Sequence, residues 1–262
     1  MNALSRPSAS VMARRRADEL LALPHLRLHL ILAALCCMTF WIGSIYISEC
    51  AFNVVPWAQI YADNRLLYVL LDVVYYTADG LIILLLGLPL IYGGAMMFEG
   101  AARGVREPMS TLFCAFESPR RYRRALGVTL GVALLPAVFW ALCALFAYQV
   151  RWAESPGQAV LILLYAVLPW LALSLGWGRY DAVLTLAYED PDATVRELFA
   201  RSRALTKGRL WSLLRFKSSF VGWALLSVLS LGLVLIFHAL PHFSLSYSLY
   251  LTADRDNTPT QS

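Results

Sequence analysis

The four histidines of this chain stand in two pairs, His25/His29 and His238/His242, each spaced i, i+4. That spacing sets two imidazoles on one helix face, which is the start of a metal site. Each pair lacks a third and fourth ligand, so the expectation is interfacial histidines, no metal and no cofactor. A second constellation is Tyr68, Asp72, Tyr75, Tyr76 and Asp79, whose spacing puts both carboxylates on one helix face. Such a pair near a bilayer can receive a cation or proton, or it forms the polar side of an interfacial helix with Asp79 capping the next one. A third is Gly176-Trp177-Gly178-Arg179-Tyr180-Asp181, where small residues permit close helix packing and the aromatics suit an interface. Asp72, Asp79, Arg179 and Asp181 are thus the candidates for a polar cavity. No GxSxG, P-loop, GxGxxG or HExxH occurs, so the usual enzyme signatures are absent and a non-enzyme is expected.

The elements that must hold these groups are unusually apolar. Of 262 residues, 59% are hydrophobic and 15% charged, with a mean hydropathy of +0.60. A soluble domain is nearer half apolar and about a quarter charged. No Asp, Glu, Lys or Arg occurs in Leu28–Ser48, Leu81–Phe98, Ala125–Val150, Ser155–Gly178 or Ser218–Ala253. Each window reaches the roughly 18 residues of a spanning candidate. The expected fold is therefore all-α, a polytopic transmembrane helix bundle of about five spans with inner amphipathic segments. A sixth span arises if residues 66–98 or 218–253 cross twice.

Of the 22 Lys and Arg, 5 precede the first window, 6 lie in Glu99–Arg124 and 8 in Arg179–Lys217. Five alternating spans put all of these on one side and only Arg65, Arg151 and Arg255 on the other. This positive-inside bias predicts a cytoplasmic N-terminus and an outer C-terminus. It reads the net charge of +5 as topological, with anionic headgroups of the inner face as partner and no nucleic acid. It also places the two histidine pairs on opposite faces, about 30 Å of hydrocarbon apart. The five cysteines contain no CxxC and read as packing residues.

The chain divides into a basic cytoplasmic arm (1–27), a transmembrane helical domain (28–253) and a disordered tail (254–262). The segment 66–98 is longer than one crossing, so a shallow outer helix, a break at Asp79-Gly80 and a second span are expected. Two units run out–in, inner amphipathic segment, in–out: one through Leu112-Phe113, the other through Leu198-Phe199. After Pro241, HFSLSYSLYLT alternates apolar and polar residues at a strand period. An open strand cannot sit in lipid, so this stretch lies at the interface or is helical despite its pattern.

The most charged stretch, AYEDPDATVRELFARSRALTKG (Ala187–Gly208), carries a complete helix grammar. Asp190-Pro191 offers one start, Thr194–Glu197 a capping-box start, and Gly208 a stop. Val195, Leu198, Phe199 and Leu205 make one apolar stripe. Around it, Arg196, Arg201, Ser202, Arg203 and Lys207 are the candidate interface to headgroups or to a membrane protein partner.

This stretch, together with the residues from Arg209 to Pro241, resembles the bacterial integral membrane family named domain of unknown function 975. The likeness rests on Asp190-Pro191, Ser202-Arg203, Lys207-Gly208, Phe220-Val221-Gly222-Trp223 and Pro241, and upstream on LPLIYGGAMMFEGAARG and LFCAF. Thr206 stands where the family has Met, and His242 where it has Tyr. The resemblance implies a multi-pass protein of the bacterial cytoplasmic membrane and no reaction. The expected role is a scaffold or accessory protein acting through cytoplasmic-face helices; the alternative is a transporter of small solutes or lipids.

Overall fold

The computed structural model describes residues 8–151, 155, 157–158, 178–230 and 232–253. All regular structure among them is helical, and no strand occurs. The fourth apolar window lies almost wholly outside the described residues, as does the tail after Ala253.

α1 (Ala9–Leu21) buries Ala13, Ala17 and Leu20, spaced i, i+4, i+7, and turns Arg15 and Arg16 outward. Ala22 and Leu23 turn the chain before Pro24, which opens α2 (Pro24–Val54). After α3 (Trp57–Asp63), the Asn64 side chain caps α4 (Arg65–Ile82) by accepting from the Leu67 amide at 3.0 Å.

α4 does not break at Asp79-Gly80. It runs through a wide π turn, Ile83–Gly87, into α5 (Leu88–Ala102). The continuous run is 38 residues long, and its most apolar 18-residue window has a mean hydropathy of 2.3. A lone glycine costs a helix only about 1 kcal/mol against alanine, too little to end one this long. The irregularity belongs instead to Pro89, which has no N–H and crowds the carbonyl four residues back. Widening the turn relieves that clash, and the freed Leu85 carbonyl accepts from the Tyr122 hydroxyl at 2.8 Å. The same arrangement recurs at Leu235–Ala239, two residues ahead of Pro241.

A 3-10 segment (Met109–Glu117) and α6 (Pro119–Arg151) come next; α6 contains the third apolar window. α5 is the central element, touching α2, the 3-10 segment, α6, α7 (Val183–Glu189) and α11 (Leu240–Ala253). Gly93 lets the backbone of Leu112 lie directly on α5; a Cβ there would overlap the Leu112 carbonyl. On α6, Gly127 and Gly131 form a shallow groove that receives Val195 and Phe199 of α8 (Val195–Thr206). The apolar stripe of α8 is therefore spent on protein, with Leu198 fully buried.

α9 (Leu210–Ser218) leads to the largest departure from expectation. The 36-residue window Ser218–Ala253 is not one crossing but a helical hairpin. α10 (Val221–Leu229) rises, Gly232 turns the chain at φ +85°, and the helix returns through the π turn into α11. Phe220 meets Phe243 edge-on at 5.0 Å and Trp223 meets His238 at 4.5 Å, across the two arms.

α11 then lies along α1. The two described ends of the chain share one end of the bundle, against the expected opposite sides. The histidine pairs are drawn together as well: Leu26 and Leu30 of α2 share a core cluster with Leu245 of α11, so no hydrocarbon layer divides them. α11 is helical despite its alternation because its polar positions are not a wetted face. Ser246 is buried and donates to the His242 carbonyl at 2.6 Å, and Thr252 donates to the Ser248 carbonyl at 3.1 Å.

Two helical runs among the described residues are long and apolar enough to cross a membrane, Pro24–Ser44 and Arg65–Ala102. Large exposed apolar side chains crowd their far ends, among them Tyr46, Ile47, Leu66, Val73 and Val74.

Candidate functional site

Where α5 ends, Glu99 is only 8% exposed. Three elements converge on its carboxylate. It accepts from Thr185 Oγ1 of α7 at 2.9 Å and from Ser248 Oγ of α11 at 2.6 Å. Arg103, one turn on, reaches it at 3.1 Å and also pairs with Glu189 at 2.9 Å. The Arg103 guanidinium lies 4.6 Å from the centre of the Tyr188 ring, a cation–π contact. Tyr188 passes the chain of bonds on, donating to Glu107 at 2.7 Å, and Glu107 also accepts from Thr111 at 3.3 Å. Burial and this bond push the Tyr188 phenol up to about 12. Gly100 leaves room for that meeting, since a Cβ would strike Glu107 and the Tyr188 hydroxyl.

A second buried carboxylate sits close by in the same layer. Asp181, with 5% of its side chain exposed, takes Lys217 Nζ at 2.7 Å and the Tyr247 hydroxyl. Burial holds its carboxyl above the ordinary range, against the pull of Lys217. Ser202 and Thr206 both donate to the Arg179 carbonyl, at 2.9 and 3.2 Å, which bolts α8 under the α7 entry turn. α1 closes the layer: Asp18 meets His242 at 2.9 Å, and Arg14 donates to Ser219 and covers the Phe216 and Phe220 rings.

α8 starts at the capping box, not at Asp190-Pro191. Thr194 and Glu197 bond reciprocally, and the Thr194 contacts hold the Glu197 carboxyl below its usual range. Asp190 instead turns the loop, accepting from the Ala193 amide at 3.1 Å and pairing with Arg201 at 2.8 Å. The Arg201 bond holds its carboxyl down. Arg124 ties this loop to α6, donating to the carbonyls of Ala187 and Asp190, at 3.2 and 2.6 Å, and of Pro191.

The residues singled out from sequence scatter. Asp72 and Asp79 belong to α4, and twenty residues at ~1.5 Å each put Asp79 about 30 Å along the run from Glu99. Asp79 there lines a groove of about 460 Å³ between α2 and α4, with Thr39, Ser44 and Tyr75. Arg179 and Asp181 lie in the other layer, so the four form no common cavity. Of the expected interface, Arg196, Arg203 and Lys207 are exposed, Arg201 pairs with Asp190, and Ser202 is buried. No group of three or more His, Cys, Asp or Glu able to hold a metal occurs among the described residues.

Sequence reasoning missed Glu99, Thr185 and Ser248. Glu99 is the first acid after an apolar run, with Arg103 at i+4, which is a local signal. Thr185 and Ser248 carry none, since their relation to Glu99 exists only after folding. Gly127-x-x-x-Gly131 was a legible packing signal.

The fold and this layer define an all-helical chain with two membrane-length apolar helices and a cross-braced polar cap at one end. A family model described as "Protein of unknown function (DUF975)" matches residues 24–255, and the chain belongs to that family. No curated protein and no solved structure matches it.

Proposed function

We propose that this is a multi-pass protein of the bacterial cytoplasmic membrane, a non-enzymatic scaffold or accessory subunit that acts through its cytoplasmic-face helices. The observation that carries the reading is the polar cap. Its carboxylates Glu99, Glu107, Asp181, Glu189 and Asp190 are engaged in internal bonds. Its outer face presents Arg196, Arg203 and Lys207 on a helix bolted to the bundle. A rigid basic face on a braced layer suits docking better than turnover. The exposed apolar side chains along α4 and the far half of α2, Tyr46, Ile47, Leu66, Val73 and Val74 among them, support the membrane setting. The seating of α1 on α11 supports a cytoplasmic C-terminus. A membrane protein partner is the expected neighbour of the basic face, and the anionic headgroups of the inner leaflet surround the cap as a whole.

Cross-linking in intact membranes followed by mild-detergent purification tests this. Specific membrane protein cross-links should form in the wild type and disappear in R196E/R203E/K207E, with insertion unchanged. A bare protein in both would sink the scaffold reading.

The groove beside Asp79 favours a second reading, transport of a small solute or lipid. In that case Asp79→Cys should react with a membrane-impermeant thiol reagent through a water-filled path; protection from both sides of the membrane argues against it.

A further inference from the structure

We propose that the crevice between the first turn of α6 and the α7–α8 loop binds the phosphate of an anionic phospholipid, whose acyl chain enters an apolar cavity beside it. The inference rests on the membrane setting proposed above and assigns that face a specific ligand.

The mouth of the crevice, about 680 Å³, is lined by Arg120, Arg121, Arg123 and Arg124 with Asp192 and Thr194 opposite. Four guanidiniums face two weak acids. Arg120 reaches Asp192 only at 3.8 Å with both side chains exposed, and Arg121 pairs with exposed Glu117. Arg123 has just the Pro119 carbonyl, at 3.4 Å. Arg124 is held by carbonyl oxygens alone, and its Nε is buried without a partner. The positive end of the 33-residue helix α6 points into the same space.

Beside the mouth lies a second, mostly apolar cavity of about 210 Å³, walled by Tyr92, Met96, Cys114 and Ala187, with Glu107 at one side already bonded to Thr111 and Tyr188. Arg121, Arg124 and Pro191 line both, so the two cavities adjoin across those side chains. Together they fall in the range of about 300–1,000 Å³ typical of ligand clefts. Bidentate guanidiniums beside an apolar slot match a ligand with phosphate at one end and hydrocarbon at the other. Free phosphate shares the first half of that chemistry but has no use for the slot.

The test uses the full chain in neutral detergent with three probes: short-chain phosphatidylglycerol, phosphatidylcholine of equal chain length, and inorganic phosphate. Binding is read by thermal shift, and occupancy of the slot by mass-spectrometric alkylation of Cys114. Phosphatidylglycerol should bind at least about tenfold more tightly than either other probe and should slow Cys114 alkylation. R120Q/R121Q/R123Q should weaken it by about tenfold or more, whereas R196Q/R203Q/K207Q, equal in charge but outside the crevice, should not. Equal weakening in both triples, or an unprotected Cys114, overturns the proposal. Phosphate binding as tightly as the lipid overturns the lipid as its source. Resistance of the wild type to carbonate extraction tests the membrane setting separately, so an embedded protein indifferent to lipid charge defeats this proposal alone.

Discussion

Glu99 shows what a single side chain does here. Its carboxylate joins α5, α7 and α11 and neutralises Arg103. Glu99→Gln leaves Arg103 short of one partner and replaces an acceptor oxygen by a donor. Removing one member of a buried ion pair costs about 3–5 kcal/mol; with Arg103 still paired to Glu189, the lower figure is expected as a fall in midpoint on chemical denaturation. Charge also sets the response to acid. Asp190 and Glu197 have folded pKa values below their unfolded values of 3.8 and 4.5. The stability they contribute is full above the unfolded values and is lost as pH falls through the folded ones. The Thr194 amide, which donates to the Glu197 carboxylate at 2.8 Å, should therefore lose exchange protection as pH falls through the lowered carboxyl range. Asp181 runs the other way: its carboxyl is raised by burial, so its protonation favours the fold. On acidification Asp181 therefore takes its proton before Asp190 does, and the stability lost in acid comes from the start of α8 rather than from Asp181.

At the scale of elements, glycines separate packing from tolerance. Gly93 touches the Leu112 backbone and Gly80 has nothing near it. Gly93→Ala should cost about 3 kcal/mol, since a backbone neighbour cannot swing aside. Gly80→Ala should be neutral or stabilise by up to about 1 kcal/mol. Thermal unfolding of the two variants side by side checks both. Local grammar was largely legible in the sequence at this scale. The capping box at Thr194, the stop at Gly208 (φ +78°) and the amphipathic arm of α1 stand where short-range chemistry puts them. The position of the irregularity in the 65–102 helix was not, because Asp79-Gly80 looks like a turn locally while Pro89 acts on a carbonyl behind it. The strand-like rhythm of α11 misled for a related reason: its hydroxyls find partners inside the fold, which periodicity cannot see.

For the whole molecule, apolar windows and one-sided cations indicated the class of architecture but not its closure. An apolar stretch of 36 residues reads as one long crossing because hydropathy is blind to direction; the turn at Gly232 reverses it. The consequence is measurable. A C-terminal reporter that matures only in the cytoplasm should be active, and activity confined to an external reporter would return the chain to termini on opposite sides. Of the two polar sites, the sequence pointed to Asp181 but not to its partners Lys217 and Tyr247, and the joining of Glu99 to Ser248, 149 positions apart, was beyond it.

That closure also has a history in time. Asp18 and His242 are separated by 224 positions. At about 5–20 residues per second, the partner of α1 leaves the ribosome some tens of seconds after α1 itself. Throughout that interval the Ala13–Ala17–Leu20 stripe lacks its cover from α11 and Glu99 lacks the Ser248 hydroxyl. Every chain that stalls or is cut before α11 keeps those surfaces bare. The contact between the two helices thus closes late in synthesis, after every membrane-length helix of the described chain has been made.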